Sequence, residues 1–421
     1  MISKKIKLLR ELLIEKNLDG YLVPKNDIFF SEYPNIDRLK KITNFNGSAG
    51  LALILKKKNY LFVDGRYTTQ AKIQSGKNYN ILEIPNFYPF NVLGKIEETL
   101  NIGYDPKLFT NFYLNKLFKN YHNLVPIFEN LIDKIFKRET NNYQRPFFSL
   151  NLKASGESSL SKIRRLKEML KKSRIKNIFI SAPENVAWLL NIRGFDSPNS
   201  PIPNCQLILN NRGVYFFSDK EKINKIRKID RLKNIKYCEF ENFDSIINKL
   251  SGKYFCIDKN TCSIFNETII RSKFNIKLYE DPCYLLKSVK NKIEIHNMEK
   301  AHISDGVALT KFIYFIKQKK NLNISELEVV NKLEKFRKKQ KNYLYPSFDT
   351  IAGAGSNGAI IHYKATKKTN KKIKKNDILL LDSGGQYKYG TTDVTRTISF
   401  GKQSNKMKNI FTRVLKGHIG V

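Results

Sequence analysis

Two aspartates flank a glycine-rich reversal between residues 377 and 400, and they are the residues best placed to do chemistry. The apolar run Ile378–Leu381 predicts a buried strand that ends directly at Asp382. The reversal is marked by three glycines: Gly384, Gly385 and Gly390. Asp393 then lies on a second predicted strand, in which apolar and polar residues alternate. The pattern therefore predicts an antiparallel hairpin with one carboxylate on each arm.

Carboxylates on the two arms of a hairpin can converge on one point. A buried pair of carboxylates without a counter-ion is costly, and a hard divalent cation with oxygen ligands is its natural partner. A purely structural interpretation is also open at this point. In that interpretation one aspartate caps the turn and the other forms an ion pair with Arg396.

The residues around this hairpin resemble a known peptidase family. Asp-Ser-Gly-Gly-Gln-Tyr from residue 382 and Gly-Thr-Thr-Asp-Val-Thr-Arg-Thr from residue 390 resemble the first metal-binding segment of the aminopeptidase P branch of the creatinase/methionine aminopeptidase family, which has the "pita-bread" fold. Other segments resemble that family in the same order along the chain: residues 64–67, 187–194, 356–363 and 414–419. The resemblance therefore covers the whole chain and is closest to the three-domain form.

The resemblance implies a two-metal site. In that family two Asp, one His and two Glu hold two divalent ions, usually manganese in this branch, which activate a water and polarise the scissile carbonyl. Asp382 matches the Asp that chelates one ion, and Asp393 matches the Asp that bridges both. In that family the other three ligands belong to segments that follow the helix that contains His418. His418 itself matches a position that does not bind metal. We therefore expect a C-terminally truncated catalytic domain with an incomplete site and with apolar surface uncovered around Ile378–Leu381.

Two further residues are candidates through the same resemblance. His362 matches a histidine on the substrate side of the cleft, a catalytic and substrate-binding position where it can hydrogen-bond the peptide or a developing oxyanion. Arg66 matches an arginine that contacts substrate, across a dimer interface. Each residue also has a structural alternative. His362 could stabilise a loop, and Arg66 could form a local turn with Asp64.

The elements that must position these residues begin with a repeated module. Each copy has an amphipathic helix, a short apolar strand and a hairpin, and the two hairpins lie roughly 154 positions apart. The hairpins are residues 51–63 and 205–217. We predict creatinase-like α/β domains at 1–150 and 151–286, followed by a partial pita-bread α+β domain at 287–421.

The predicted third domain opens with two helices before its glycine-rich strands. Apolar residues at helical spacing predict helices over Val289–Gln318 and Ile324–Gln340. Ser325 is the expected N-cap of the second helix, because Glu326 and Glu328 follow it in the first turn.

Composition bounds the class of protein. The formal net charge is +38, but lysines make up most of the 76 basic residues and are spread along the chain, a pattern that argues against a nucleic-acid surface. Five cysteines without a Cys-x-x-Cys pair predict reduced thiols. No apolar run approaches the length of a membrane span, and the charged N-terminus lacks the features of a secretory signal. We expect a cytoplasmic protein.

The expected activity is metal-dependent hydrolysis of the first peptide bond of peptides with proline in the second position. Proline there lacks an N–H, so peptidases that require this donor fit such peptides poorly. The resemblance also implies a homodimer for the full-length form. The alternative is a non-catalytic pita-bread module that binds peptides or proteins.

Overall fold

A computed structural model describes residues 2–119, 122–136, 147–228, 235–318 and 323–421. The chain divides into two compact units, Met1–Ile293 and Glu294–Val421. Each unit is described by itself below.

The first unit begins with a six-stranded sheet and the helices around it. Its strands are β1 (Gly20–Pro24), β2 (Leu51–Leu55), β3 (Asn59–Asp64), β4 (Asn80–Ile84), β5 (Asn101–Tyr104) and β6 (Asn123–Pro126). Its helices are α1 (Ile2–Glu15), α2 (Arg38–Thr43), α3 (Thr68–Ser75), α4 (Pro89–Leu93), α5 (Asn111–Phe118) and α6 (Leu131–Ile135).

A second sheet of six strands follows in the same unit. Its strands are β8 (Asn177–Ile180), β10 (Gln206–Asn210), β11 (Gly213–Phe217), β12 (Ile235–Cys238), β13 (Tyr254–Ile257) and β14 (Asn275–Leu278), and a separate short pair is β7 (Phe148–Ser149) with β9 (Ile192–Arg193). The helices are α7 (Leu152–Ser155), α8 (Ser159–Lys172), α9 (Pro183–Leu190), α10 (Lys220–Lys228), α11 (Phe243–Lys249), α12 (Ile264–Arg271) and α13 (Cys283–Ser288). A 3₁₀-helix spans Phe240–Asn242.

The two sheets have the same topology, which confirms the predicted repeat. The strand orders are β4-β3-β2-β1-β5-β6 and β12-β11-β10-β8-β13-β14. In each sheet the second strand of the antiparallel hairpin has a parallel outer neighbour, β4 or β12. The first strand of the hairpin pairs antiparallel with β1 or β8, which in turn pairs in parallel with β5 or β13. The predicted hairpin strands agree with β2–β3 and β10–β11 within about one residue, because short apolar runs bounded by turn residues define them locally.

Both faces of each sheet are buried, which explains the continuous apolar runs. In β2, Leu53 packs in one core cluster and Ile54 in another, and adjacent residues of the other central strands separate in the same way. In the second sheet, Ile208 and Leu209 divide between two clusters. Helices on both faces of a mixed sheet remove the alternation that a half-exposed strand would show.

Corresponding parts of the two modules contact each other in a reciprocal way. The ammonium of Lys107 lies 4.8 Å from the ring centroid of Phe265, and that of Lys259 lies 4.5 Å from the ring of Phe112. Ile264 belongs to a core cluster of the first module although it begins α12 of the second. The two modules therefore share apolar and cation–π contacts within one compact unit.

Asp281 is a buried carboxylate in the second module, and its charge is only partly compensated. It accepts hydrogen bonds from the backbone N–H of Cys283 and from the side-chain amide of Asn185. Burial raises its pKa, and the negative charge of Asp258 contributes in the same direction. The Oδ1 atom of Asn185 has no hydrogen-bond partner among the described residues.

We expect Asp281→Asn to stabilise the first unit at neutral pH. The new amide keeps an acceptor for Cys283 and brings a donor to Asn185, whose amide can turn to present its oxygen. Because the pKa of Asp281 is raised on folding, its contribution to stability is present in acid and lost as pH rises through the folded pKa. The stabilisation should therefore appear at neutral pH and disappear in acid.

Emission of Trp188 measures this effect, because the single tryptophan lies in the same core cluster as Cys283. The expected rise in the melting temperature is roughly 2–4 °C. Asp244→Asn, at an exposed position of α11, is the matched control and should change little. A variant that melts below the wild type at every pH would contradict the expectation.

The second unit combines two long helices with two small sheets. Its helices are α14 (Lys292–Lys317), α15 (Glu326–Arg337) and α16 (Asn405–Gly420). Its strands are β15 (Tyr343–Pro346), β16 (Ile351–Ala354), β17 (Ile378–Ser383), β18 (Gly385–Tyr387), β19 (Gly390–Thr391) and β20 (Val394–Ser399), and a 3₁₀-helix spans Gly355–Ala359. The strand orders are β15-β18-β19 and β16-β17-β20.

The two faces of the β16-β17-β20 sheet have different roles. Leu379 and Leu381 point into a core formed with apolar residues of α14 and α15. Leu380 and Asp382 alternate with them and therefore lie on the opposite face. The capping box between Ser325 and Glu328 confirms the predicted N-terminus of α15.

The location of exposed apolar surface differs from the sequence expectation. Leu379 and Leu381 are fully buried, so the prediction that the run Ile378–Leu381 is uncovered is wrong for half of its side chains. Two helices cover that face of the sheet locally. Exposed apolar side chains are found on other elements, and one group of them lies on α16: Met407, Ile410, Phe411, Val414, Leu415 and Ile419.

The remaining composition-based expectations concern thiols and membranes. All five cysteines are free, as expected. Within the described ranges, no helix is both long enough and apolar enough to cross a bilayer.

Candidate active site

The hairpin of β17 and β20 brings the two predicted metal ligands onto one face of the sheet. Asp382 pairs directly with Thr395 in the antiparallel register. Asp393 precedes β20 by one residue and stands two positions before Thr395, so extended backbone directs both side chains to the same face. The hairpin was predicted correctly, except that Asp393 lies one residue before β20 and not on the strand itself. The turn of the hairpin additionally forms the β18–β19 pair of a separate sheet.

The two carboxyl groups interact directly. Thr395 Oγ1 donates a hydrogen bond of 2.8 Å to Asp382 Oδ1. The pKa of Asp393 is raised, first by partial desolvation and then by the neighbouring carboxyl group of Asp382. Arg396 donates to the carbonyl of Thr395, which differs from the ion pair of the structural alternative. The arrangement is a pair of like charges that a cation would relieve.

Gly384 permits the close packing at the base of this hairpin. A Cβ atom at residue 384 would overlap the carbonyl oxygen of Thr392 and the hydroxyl of Ser347. Ser347 Oγ also donates to that carbonyl at 2.9 Å. Position 384, in the turn between Asp382 and Asp393, therefore has room for glycine and not for a residue with a Cβ atom.

A buried ion pair fixes the core side of β17 next to Asp382. Arg337 at the end of α15 donates to both carboxylate oxygens of Asp305 on α14, at 2.7 and 3.0 Å. Its Nη2 also donates to Ser383 Oγ at 3.1 Å, and the hydroxyl of Tyr387 donates to Asp305 at 3.0 Å. Sequence patterns did not identify this network, because its members come from four separate elements.

His362 belongs to a segment on the same face of the sheet as Asp382. A Cβ placed on Gly358 would lie 3.5 Å from the Cβ of Leu380, which shares that face with Asp382. His362 is exposed and has a φ of +54°, in the left-handed region that non-glycine residues rarely adopt. Unusual backbone of this kind is concentrated at functional sites.

Arg66 lies in the first unit and forms an ion pair with Asp64 within its own turn. Its Nε and Nη2 donate to the two carboxylate oxygens of Asp64 at 2.9 and 2.8 Å. These hydrogen bonds raise the pKa of Arg66, and half of its side chain is exposed. The local Asp64–Arg66 turn considered from sequence is therefore present. A substrate contact by Arg66 stays a prediction.

The donor set of the hairpin fits part of a divalent-metal site. Carboxylate oxygens with a hydroxyl beside them suit a hard cation. Within the ranges that the structure describes, no group of three or more His, Cys, Asp and Glu side chains could hold a metal ion. That Asp382 and Asp393 bind metal stays a prediction.

Family comparisons identify all three parts of the chain. Residues 5–135 and 138–294 each match the creatinase/prolidase N-terminal domain. Residues 296–421 match metallopeptidase family M24. These matches define a metallopeptidase chain with two creatinase-type domains, which confirms the predicted fold class.

Curated relatives extend the match over the full chain. A probable Xaa-Pro aminopeptidase P of Laccaria bicolor is 34% identical over 440 residues, which are 100% of this chain and 68% of that protein. Xaa-Pro aminopeptidase 1 of Dictyostelium discoideum is 33% identical over 100% of this chain and 70% of its own length. The chain belongs to the Xaa-Pro aminopeptidase P family.

A solved structure agrees with this assignment. The X-prolyl aminopeptidase of Caenorhabditis elegans, described as a cytosolic enzyme with a di-nuclear active site, superposes with a TM-score of 0.88. The sequences are 28% identical, and the match covers 96% of this chain and 71% of the nematode chain.

Proposed function

We propose that this chain carries part of the dinuclear site of an aminopeptidase that hydrolyses the N-terminal Xaa-Pro bond with two divalent metal ions, manganese in particular. The observation that carries the proposal is the carboxylate pair of Asp382 and Asp393 on the sheet face that also bears the His362 segment. Family membership supports metallopeptidase chemistry.

Each of these residues would have a separate role. Asp382 would bind one ion and Asp393 would contribute oxygens to both. The ions supply an activated water and an electrophile for the scissile carbonyl. His362, exposed on its loop, would hydrogen-bond the peptide or the developing oxyanion. The substrate pocket must accept a proline ring and cannot rely on an N–H from the second residue.

The 421-residue chain is expected to bind Mn²⁺ weakly. Two carboxylates with water form an open site with little preorganisation. Isothermal titration calorimetry should give a low affinity that Asp382→Ala abolishes, whereas Asp349→Ala, at an exposed loop position, should leave it unchanged. Tight binding of two ions per chain would contradict this expectation.

The second candidate function is a non-catalytic module that binds peptides or proteins. It is favoured by the observation that the described residues include no group of three or more side chains that could hold a metal ion. Release of the first residue from an Xaa-Pro-Xaa peptide, compared with an Xaa-Ala-Xaa peptide, separates the two candidates. Peptide binding without turnover, even when all five ligands are supplied, would favour the module.

Assembly and location form the last part of the proposal. We propose that the full-length form is a homodimer in which Arg66 reaches the substrate bound by its partner. The exposed half of the Arg66 side chain is compatible with this role. Action in the cytosol follows the description of the nematode enzyme. A strictly monomeric protein with full activity would contradict the role of Arg66 in trans.

A further inference from the structure

Glu326 is a fully buried carboxylate at the start of α15 that the proposed chemistry does not use. From the sequence it is one of two acidic residues in the first turn of a helix. The structure separates their roles. Glu328 is exposed and closes the capping box with Ser325, whereas Glu326 points into the unit.

The Glu326 carboxylate is surrounded by neutral donors. Its Oε1 accepts from the backbone N–H of Ala354 at 2.8 Å and from the side-chain amide of Asn357 at 2.9 Å. Its Oε2 accepts from the hydroxyl of Tyr363 at 2.9 Å and the backbone N–H of Lys371 at 3.0 Å. The ion pairs found among the described residues do not include Glu326.

All four donors belong to one segment, residues 354–371, and they lie on both sides of His362. Asn357 is five positions before His362, and Tyr363 follows it directly. The Lys371 ammonium is directed elsewhere, to the hydroxyl of Ser356. Burial raises the pKa of Tyr363 to about 12, so its hydroxyl remains a donor at neutral pH.

A buried carboxylate at this position lowers the stability of the fold relative to an apolar side chain that would fill the same space. Transfer of a carboxylate from water without a cation is expensive, and the four donors offset this cost only while the segment keeps its present conformation. That conformation includes the left-handed backbone of His362 and the packing of Gly358 against Leu380. The carboxylate therefore selects one arrangement of the segment.

We propose that Glu326 is the positioning residue for His362: its buried carboxylate holds residues 354–371 so that the histidine is presented on the sheet face that bears Asp382. The proposal rests on the function proposed above, in which His362 contacts substrate. Glu326 itself does not touch the peptide.

The test compares Glu326→Gln with Glu328→Gln, the same change two residues away at an exposed position. Glutamine offers one acceptor oxygen in place of two and directs an amide towards the donors from Tyr363 and Lys371. Amide hydrogen exchange in residues 354–371 should rise by about tenfold or more in Glu326→Gln. Exchange in the buried half of α14 should not change, and Glu328→Gln should match the wild type.

A second readout follows the histidine itself. The chain has five histidines, so carbon-13 labelling of histidine with His362→Gln for assignment isolates the His362 ring signal. We expect this signal to shift and broaden in Glu326→Gln and to be unchanged in Glu328→Gln. If Glu326→Gln does not fold, Tyr363→Phe, which removes one donor and keeps the carboxylate, carries the same test with a smaller effect.

The outcomes separate the positioning role from the proposed function. Unchanged exchange and an unchanged His362 signal would overturn the positioning role. Faster exchange throughout residues 294–421 would also overturn it, because Glu326 would then only stabilise the fold. A third outcome would keep the positioning role and refute the substrate role of His362. In that outcome Glu326→Gln makes the segment mobile and shifts the His362 signal, but His362→Ala leaves peptide turnover intact in a catalytically complete protein.

Discussion

Asp393→Ala is expected to abolish Xaa-Pro hydrolysis in a protein that contains all five metal ligands. Such a protein can be made by extending the chain with the corresponding C-terminal part of a longer relative, for example that from Dictyostelium discoideum. In the proposed site Asp393 would be shared by both ions, and its loss would remove the dinuclear arrangement, so turnover should fall at least about a thousandfold. Bound metal should fall with it.

His362→Ala should give a different result in the same protein. It removes a hydrogen-bond donor on the substrate side, so kcat should fall about 100- to 1,000-fold while metal content stays intact. His296→Ala, at an exposed position of α14, is the matched control and should behave as the wild type.

Two measurements decide this prediction. Release of the N-terminal residue from an Xaa-Pro-Xaa peptide gives the rate, and elemental analysis of the purified protein gives the metal content. Full activity of Asp393→Ala would remove Asp393 from the ligand set.

Arg337→Met is expected to cause the largest loss of stability in the second unit. Arg337 and Asp305 are both fully buried, and the arginine provides two of the hydrogen bonds to the carboxylate. Methionine fills a volume similar to that of arginine but cannot donate hydrogen bonds. The charged Asp305 carboxylate would then keep Tyr387 as its remaining hydrogen-bond donor in this network. Breaking a buried pair on one side costs about 3–5 kcal/mol of the free energy of unfolding.

The double variant Asp305→Asn/Arg337→Met should recover part of this loss, because it removes the unpaired charge. Lys338→Met, at the residue that directly follows α15, provides the control. The ammonium of Lys338 is exposed and lies 3.7 Å from the carboxylate of the half-buried Glu334, so replacement of Lys338 should cost less than about 1 kcal/mol. A small effect of Arg337→Met, or no recovery in the double variant, would contradict the assigned role of the pair.

Hydrogen exchange of α14 and α15 is the suitable measurement, because the single tryptophan, Trp188, reports the first unit. The change should also reach the candidate site. Arg337 donates to Ser383, which adjoins Asp382 on β17. Weakened Mn²⁺ binding by Arg337→Met under conditions where the unit stays folded is therefore expected.

Several elements could be predicted from the sequence because their signals are local. The hairpins at residues 51–63 and 205–217 were predicted within about one residue of their bounds in the structure, since short apolar runs between turn residues define them. Ser325 was identified as an N-cap from its own residue type and the acids that follow. The repeat was visible because both modules keep the same order of helix, strand and hairpin.

The candidate carboxylate pair was also predictable, for a related reason. A strand, a glycine-rich turn and a second strand fix which side chains share a face, because alternation in a strand has a period of two. The register of Asp382 opposite Thr395 then follows from the length of the turn. The roles assigned to Arg66 and His362, in contrast, came from family resemblance, since neither residue stands in a pattern that indicates chemistry by itself.

The sequence by itself determined the family, the duplicated module and the hairpin that carries Asp382 and Asp393, since each depends on residues close together in the chain. Only the tertiary structure decided which charged groups are buried and what contacts them. Glu326 resembles an ordinary first-turn acid, and Arg337 an ordinary helical surface residue, until distant segments supply their partners. Burial and hydrogen bonding of such groups depend on contacts between elements far apart in sequence, and short-range patterns contain no information about those contacts.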